Sequence, residues 1–267
     1  MQLPIHIVDA FTPERFKGNQ AAVVPLEAWL PAATLQAIAT ENNLSETAFL
    51  VWSAERSAFE IRWFSPLKEI DFCGHATLAS AFVLFAADAA LRSITFWAAA
   101  VGNVTATQEA EGRIQMTFPR RDARPVEAPP AALVDGLTPR PLAYLVNQQA
   151  YVAVYASEAD VRQVQPDLDK LTMLGPLDVV VTAPAPAGAP YDFVSRYFWP
   201  ANGGVEDPVT GSIHAALAPY WAGQLGKNSL VGHQVSQRTG TLFCEVGDTT
   251  VQVSGHCACY LSGTITV

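Results

Sequence analysis

The segment "EIDFCGHATLAS" at residues 69–80 places Cys73, Gly74 and His75 directly before a nearly unbroken apolar run. A thiol beside an imidazole can act as a nucleophile with its base or as a pair of metal ligands. A cysteine at a helix N-terminus can also have a lowered pKa. The sequence alone names no carboxylate that would orient His75, so it does not establish a Cys73–His75 dyad. The simpler interpretation is that Cys73 is a small residue lining a pocket.

A second segment, "EDPVTGSIHAAL" at residues 206–217, has the same layout. Each segment places an acidic residue, a glycine and a small polar residue around the start of an apolar stretch. A helix without a polar face must be buried on all sides. We therefore predict two buried helices, over His75–Ala86 and Ser212–Ala222.

The start of a buried helix can bind an anion. Its first backbone N–H groups have no intrahelical partner, and the helix dipole adds partial positive charge. Gly74 and Gly211 would let a ligand approach the backbone closely. Additional side-chain donors are His75, Thr77, Thr210 and Ser212. Thr210 or Ser212 could instead only cap its helix, but the repeated layout favours a site for a small carboxylic acid.

Glu46 is a candidate for proton transfer. In "ENNLSETAFLV" it leads into the apolar residues Ala48–Val51. Burial disfavours a charged carboxylate, and a carboxyl group tuned in this way can both take and return a proton near neutral pH. The alternative from the residues alone is a strand-end glutamate that is exposed to water.

The composition excludes several classes of partner. The chain has 267 residues, half of them hydrophobic, and a formal net charge of −9. The only short basic cluster is "RRDAR" at Arg120–Arg124, so nucleic acid and anionic membranes are not expected partners. The N-terminus lacks the pattern of a signal peptide, and the apolar run from Ala76 is ended by Asp88, short of the ~20 residues of a membrane span. The four cysteines are few and irregularly spaced, which favours a cytoplasmic protein with reduced thiols.

Strand-like segments dominate both halves of the chain and are separated by turn residues. Pro31–Asn43 has the spacing of a surface helix, and Glu158–Leu171 is also helical in pattern. The proline-rich Arg120–Leu133 is the best candidate for a linker. One buried helix among many strands in each half predicts an α+β fold in which a layer of strands surrounds a central helix, twice.

Several stretches together resemble the PhzF-like family of phenazine-biosynthesis-type isomerases, within the diaminopimelate-epimerase-like superfamily. The matching stretches follow in the expected order and span almost the whole chain: "VDAFTPERFKGNQAAVV", "ENNLSETAFL", "FSPLKEIDFCGHATLAS", "SRYFWPANGGVEDPVTGSIHAAL" and "QRTGTLFCEV". One departure is Gln20, where "GNP" is more usual; it removes a proline restriction at a turn.

The resemblance implies two similar domains, each a β-barrel-like sheet wrapped around a central buried helix. We place them at residues 1–118 and 126–257, and a strand at about 258–267 is a candidate to return to the first domain. It also implies an active site in the cleft between the domains, proton transfer without a cofactor or metal, and often a homodimer. The expected partner is a small carboxylate substrate.

The resemblance also assigns roles to individual residues. The family's catalytic glutamate matches Glu46, which favours the catalytic interpretation of this residue over the exposed one. The residues that match further family positions are His75 and Gly74 at the first helix start, and Asp207, Gly211 and Ser212 at the second. We predict Glu46, Asp207 and His75 as catalytic, and Cys73, Gly74, Gly211, Ser212 and Thr210 as substrate-binding.

Three alternatives remain from the sequence. Racemases of this superfamily use two cysteines, but here the second position holds Asp207 and Pro208, so an epimerase would have to use Cys73 with Asp207 or Glu46. A non-catalytic binding protein could keep the same pocket. A metal site at His256, Cys257 and Cys259 is the third alternative, but a strand would point His256 away from the two thiols.

Overall fold

The computed structural model describes residues 1–267, apart from the side chain at residue 110. Its α-helices are α1 (Ala32–Asn42), α2 (Gly74–Ala87), α3 (Ala131–Asp135), α4 (Glu158–Gln163), α5 (Leu168–Thr172) and α6 (His214–Leu225). The strands up to the middle of the chain are β1 (Gln2–Ala10), β2 (Asn19–Leu26), β3 (Glu46–Ser53), β4 (Ala58–Phe64), β5 (Glu69–Ile70), β6 (Ser93–Ala98), β7 (Gly102–Gln108), β8 (Ile114–Pro119), β9 (Arg124–Pro125) and β10 (Leu137–Thr138). The later strands are β11 (Ala143–Val146), β12 (Ala150–Val154), β13 (Gln165–Pro166), β14 (Asp178–Pro184), β15 (Phe193–Phe198), β16 (Glu206–Asp207), β17 (Ser229–Gln234), β18 (Gly240–Val246), β19 (Thr250–Gly255) and β20 (Cys257–Thr266). The expected mixture of many strands and few helices is confirmed.

The contacts of the chain divide it into two compact units. The first unit comprises Met1–Thr117 and Ser254–Val267, and the second comprises Phe118–Val253. Within the first unit, β20 pairs antiparallel with β1 along nearly its whole length. The last strand therefore completes the sheet in which the chain begins.

In the first unit, strand pairing alternates between antiparallel and parallel. β1–β2, β3–β4 and β6–β7 pair antiparallel, whereas β2–β3 and β4–β6 pair parallel. A parallel pair needs a crossover connection; α1 lies in the first crossover and α2 in the second. The two-residue strand β5 pairs with β4 just before α2 begins.

The second unit repeats this succession. β11–β12, β14–β15 and β17–β18 pair antiparallel, whereas β12–β14 and β15–β17 pair parallel. The helices α4 and α5 lie in the first crossover, and α6 lies in the second. The two-residue strand β16 pairs with β15 before α6. The segments "EIDFCGHAT" and "EDPVTGSIH" thus occur at the same step of the two chain paths.

The core of the first unit has helices on two faces of its sheet. α2 contacts β1, β2, β3, β7 and β20, and most of its residues are buried, as its apolar sequence predicts. On the other face, α1 contributes Leu35, Ile38 and Ala39 to a cluster that includes Phe49 of β3. In the second unit, a separate cluster joins buried residues of α3, α4 and α5 to β14 and β15.

Two helices differ from their predicted bounds. The helix predicted over Glu158–Leu171 is wrong as one element; it is two short helices, α4 and α5, with Pro166 between them. A proline lacks the N–H that would continue a helix and restricts the residue before it. The second buried helix begins at His214, not at Ser212, because tight hydrogen bonds from His214 N–H to the Gly211 carbonyl and from Ala215 N–H to the Ser212 carbonyl form turns before it.

Among the residues that the structure describes, no helix combines the length and the apolar character that crossing a membrane would require.

Candidate functional site

Glu46 is the first residue of β3 and is directed toward α2. Successive side chains of a strand point to opposite faces, so Glu46 lies on the face opposite Phe49. Since Phe49 packs with α1, Glu46 faces the side of the sheet that α2 contacts. The residue is only 7% exposed, so the alternative of a water-exposed strand end is wrong.

The start of α2 brings a thiol and an imidazole to Glu46. His75 Nε2 lies 3.1 Å from Glu46 Oε2. The Cys73 thiol lies 3.6 Å from the same oxygen and 3.4 Å from His75 Nδ1. Cys73 is the N-cap residue of α2 and His75 is its second helical residue, so one tight turn of backbone directs both side chains to the carboxylate. His75 thus has the carboxylate partner that the sequence alone could not name.

The charges in this cluster are set by burial and by Glu46. Burial, together with the negative charge of Glu46, raises the pKa of the Cys73 thiol to about 11, so Cys73 is a neutral thiol near pH 7. Burial opposes a charged imidazole, but contacts with Cys73 and Glu46 outweigh it and hold the pKa of His75 well above its usual range. Because Cys73 keeps its proton, the Glu46 carboxylate is the anion that stabilises the His75 imidazolium. The lowered pKa that a helix start can give a thiol is not found here.

Asn19 is a member of this cluster that sequence reasoning missed. Its amide nitrogen Nδ2 lies 3.2 Å from His75 Nδ1, and the residue is fully buried on β2. The two orientations of an amide place either a donor or an acceptor against an imidazole nitrogen. An imidazolium carries a proton on Nδ1, so the amide would have to be flipped to bring its oxygen to Nδ1 as the acceptor. The available signal is the "GNQ" motif, in which Asn19 precedes Gln20.

Asp207 and Thr210 form a second group, in the second unit. The Thr210 hydroxyl donates to Asp207 Oδ2. Gln234 holds the segment between them, because its Oε1 accepts from Thr210 N–H at 2.9 Å and its Nε2 donates to the Asp207 carbonyl oxygen at 2.6 Å. The Thr210 N–H is therefore already paired. Gln234 was missed because it lies outside the recognised motifs.

A chain of hydrogen bonds, in which the donor of each bond is defined, orients the Ser212 hydroxyl. Tyr197 donates to Asp178 Oδ2 at 2.7 Å, and Gln149 Nε2 donates to both the Tyr197 oxygen at 3.0 Å and Ser212 Oγ at 2.9 Å. Burial raises the pKa of Tyr197, with the Asp178 charge acting in the same direction, so the phenol keeps its proton as the donor. The Ser212 oxygen accepts from Gln149, and its own proton can be donated to another acceptor.

Neither Thr210 nor Ser212 caps α6 through its side chain, so the simpler capping interpretation is wrong. The N-cap residue is Ile213, and its side chain makes no capping hydrogen bond. The first turn is held instead by His214, whose Nδ1 lies 2.9 Å from the Thr210 carbonyl oxygen. Burial lowers the pKa of His214 to about 4, so the ring is neutral near pH 7 and Nδ1–H donates. His214 is thus a fully buried residue of the core.

The alternative metal site near the C-terminus does not form among the described residues. Cys257 and Cys259 lie on β20, opposite Ala10 and Val8 of β1. Of the His, Cys, Asp and Glu residues that the structure describes, the group whose ligand atoms all lie within 4.8 Å of one another is Glu46, Cys73 and His75. His256, Cys257 and Cys259 do not make such a group.

A model of the phenazine biosynthesis-like protein family matches residues 8–263. The chain belongs to this family. The PhzF-like resemblance and the prediction of an isomerase-type enzyme are thereby confirmed.

Several known proteins are similar to the chain over nearly its full length. A Pseudomonas aeruginosa protein named an uncharacterized isomerase is 42% identical, with 99% of each chain covered. The crystal structure of a phenazine biosynthesis protein of the PhzF family from Enterococcus faecalis is 39% identical, covers 100% of both chains and gives a TM-score of 0.93. A hydroxyproline epimerase from Agrobacterium vitis has a TM-score of 0.62 at 11% identity, with 99% of this chain and 92% of its own covered. That last likeness concerns the fold alone.

Proposed function

We propose that this protein is a cofactor-independent isomerase that moves a proton on a small carboxylic acid, with Glu46 as general acid and base. One observation carries the proposal: a buried carboxylate lies 3.1 Å from an imidazole at the start of a buried helix. A general base must reach the proton it removes and must be able to return it. Membership in a family with members named as isomerases supports the same reaction class.

The proposed reaction needs only one proton carrier. Glu46 removes a proton from a carbon next to an electron-withdrawing group, and the electrons left behind delocalise over the conjugated system. The carboxyl group of Glu46 then returns the proton to another carbon of that system. His75 remains beside Glu46 throughout, and its positive charge stabilises both the carboxylate and the negative charge that develops on the substrate.

We further propose that the segment around Thr210–Ser212 binds the substrate carboxylate. Ser212 supports this proposal because its oxygen accepts from Gln149 and its proton can be donated. The hydrogen bond from the Thr210 hydroxyl orients the Asp207 carboxylate, which we propose contacts a polar group of the substrate. Gly211 permits close approach of a ligand to the backbone. Gly74 offers the same advantage at the start of α2.

Deuterium exchange tests the proposed function directly. The protein is incubated in D2O with a panel of small unsaturated and amino-substituted carboxylic acids, and loss of C–H signals is followed by proton NMR. We expect one member of the panel to gain deuterium at two different carbons. Exchange at a single α-carbon with inversion would instead favour the epimerase alternative, and binding without any exchange would favour a non-catalytic binding protein.

The epimerase alternative also makes a prediction about Cys73. Since its thiol is neutral near pH 7 and the base is Glu46, we expect Cys73→Ala to lower the exchange rate by about tenfold at most, far less than loss of a general base. The measurement is deuterium incorporation by the purified variant under the conditions of the wild type. A variant as inactive as one that lacks Glu46 would make Cys73 a base and overturn the assignment.

Gln149 is predicted to act through Ser212. Gln149→Leu removes the donor that fixes the direction of the Ser212 hydroxyl, so we expect KM to rise by about tenfold, the equivalent of one hydrogen bond to a charged group, with kcat changed much less. The control is Gln163→Leu, the same change at an exposed position of α4. A fall in kcat at constant KM would show that Gln149 does not serve substrate binding.

We propose that the two units are the two similar domains of the family, because each repeats the same succession of antiparallel and parallel pairs with a buried helix in its last crossover. The expected homodimer and the cytoplasmic location remain predictions.

A further inference from the structure

The three ligand atoms of the Glu46 cluster have nearly the spacing of one face of a metal-centred tetrahedron. Their separations are 3.1 Å from His75 Nε2 to Glu46 Oε2, 3.6 Å from Cys73 Sγ to the same oxygen, and 3.9 Å from Cys73 Sγ to His75 Nε2. Tetrahedral zinc, with bonds of about 2.3 Å to sulfur and about 2.0–2.1 Å to nitrogen and oxygen, separates its ligands by roughly 3.3–3.6 Å. Shifts of a few tenths of an ångström would therefore seat the ion.

We propose that Cys73, His75 and Glu46 form a binding site for Zn²⁺ and that the bound ion blocks proton transfer by occupying the Glu46 carboxylate. The inhibition, but not the binding, rests on the function proposed above. Zinc is here an inhibitory ligand and not a cofactor of the reaction.

The ligand atoms of this cluster, a sulfur, a nitrogen and an oxygen, favour zinc over Mg²⁺ and Ca²⁺. Zinc binds thiolate, imidazole and carboxylate ligands, whereas Mg²⁺ and Ca²⁺ require sets of oxygen ligands. Three protein ligands leave the fourth position of a tetrahedral ion to a water molecule or a substrate group. The protons of the Cys73 thiol and of the imidazolium are released to the buffer as the bonds to sulfur and nitrogen form.

The site is also held in place by its surroundings. Cys73 and His75 are fixed by the first turn of α2, and Glu46 is fixed by the pairing of β3 with β2 and β4. A metal-bound His75 Nε2 requires a proton on Nδ1. The Asn19 amide, whose Nδ2 lies 3.2 Å from Nδ1, can accept that hydrogen bond when it is flipped to present its oxygen. Partners of this kind orient a histidine ligand and strengthen metal binding.

The test uses the whole purified protein with Zn²⁺ and with Co²⁺ as a spectroscopic substitute. We expect calorimetry to show one equivalent of Zn²⁺ bound, and Co²⁺ to give a near-ultraviolet thiolate-to-cobalt absorption band. Cys73→Ser should abolish the band and weaken zinc binding by at least about tenfold to a hundredfold. The matched control is Cys259→Ser, a thiol of β20 outside the cluster, which should leave both signals unchanged. Circular dichroism confirms that both variants are folded.

Several results would overturn the site: no stoichiometric binding, a cobalt spectrum without the thiolate band, or equal binding by Cys73→Ser and the wild type. If the serine variant does not fold, Glu46→Gln replaces it, and undiminished zinc affinity in that variant would likewise refute the site.

The activity readout separates this proposal from the proposed function. Both the proposed function and the zinc site are supported if the metal-free protein exchanges deuterium, loses this activity when Zn²⁺ is added, and regains it when a chelator removes the ion. Deuterium exchange at a rate that Zn²⁺ does not change refutes the inhibitory site but not the proposed function. A cobalt–thiolate band in a protein that exchanges no substrate refutes the function and leaves the metal site standing.

Discussion

Replacing Glu46 by glutamine is expected to lower deuterium incorporation into substrate by about 10²–10⁴-fold, the usual contribution of a general base. The amide keeps the size of the carboxyl group and can still accept a hydrogen bond from His75, but it cannot take up the proton. Substrate binding should therefore persist, and calorimetry should give an affinity close to that of the wild type. Proton NMR in D2O measures the rate.

The control for this variant is Glu41→Gln, the same change five residues upstream at an exposed position of α1. It should exchange deuterium as the wild type does.

The Glu46→Gln variant has a second readout at His75. Removing the anion that lies 3.1 Å away should bring the pKa of His75 down, which an NMR titration of the ring protons can follow. Full exchange activity with a lowered histidine pKa would mean that Glu46 supports His75 but is not the base.

Much of the framework was predictable because it depends on local patterns. The apolar stretch that follows Gly74 has no polar face, which predicts a buried helix wherever it lies. Strands such as Ser93–Ala98 alternate buried residues with less buried ones, which the sequence also indicates. The start of α6 at His214 was harder to predict from sequence, because tight turns and an α-helix are formed by the same residue types.

The contacts within the site were not predictable from the same patterns. Glu46 and His75 are 29 positions apart, and their meeting depends on how β3 lies against the start of α2. Asn19 and Gln149 make specific hydrogen bonds, yet in sequence each is a polar residue near a turn, for which solvent exposure is the usual expectation. Sequence patterns carry the periodicity of an element, whereas pairing across elements depends on register and packing.

Phe49→Ala is expected to destabilise the first unit by about 3–5 kcal/mol, the usual cost of removing a fully buried aromatic side chain. Phe49 has no exposed surface, packs edge-to-face on Phe64 with ring centroids 5.6 Å apart, and belongs to the cluster with Leu35 and Ile38 of α1. Urea denaturation followed by far-ultraviolet circular dichroism measures the change as a lower midpoint.

The control for Phe49 lies on the same strand. Trp52 is 54% exposed and contacts Phe59 at the surface, so Trp52→Ala should cost about 1 kcal/mol or less. The two positions have opposite parity along β3, as do Phe49 and Glu46, and the pair of variants tests the assignment of Phe49 as a core residue and of Trp52 as an exposed one. Similar midpoints for both variants would contradict this assignment. A strand displaced by one residue would turn Glu46 toward α1, and the carboxylate–imidazole contact on which the proposed chemistry depends would be lost with it.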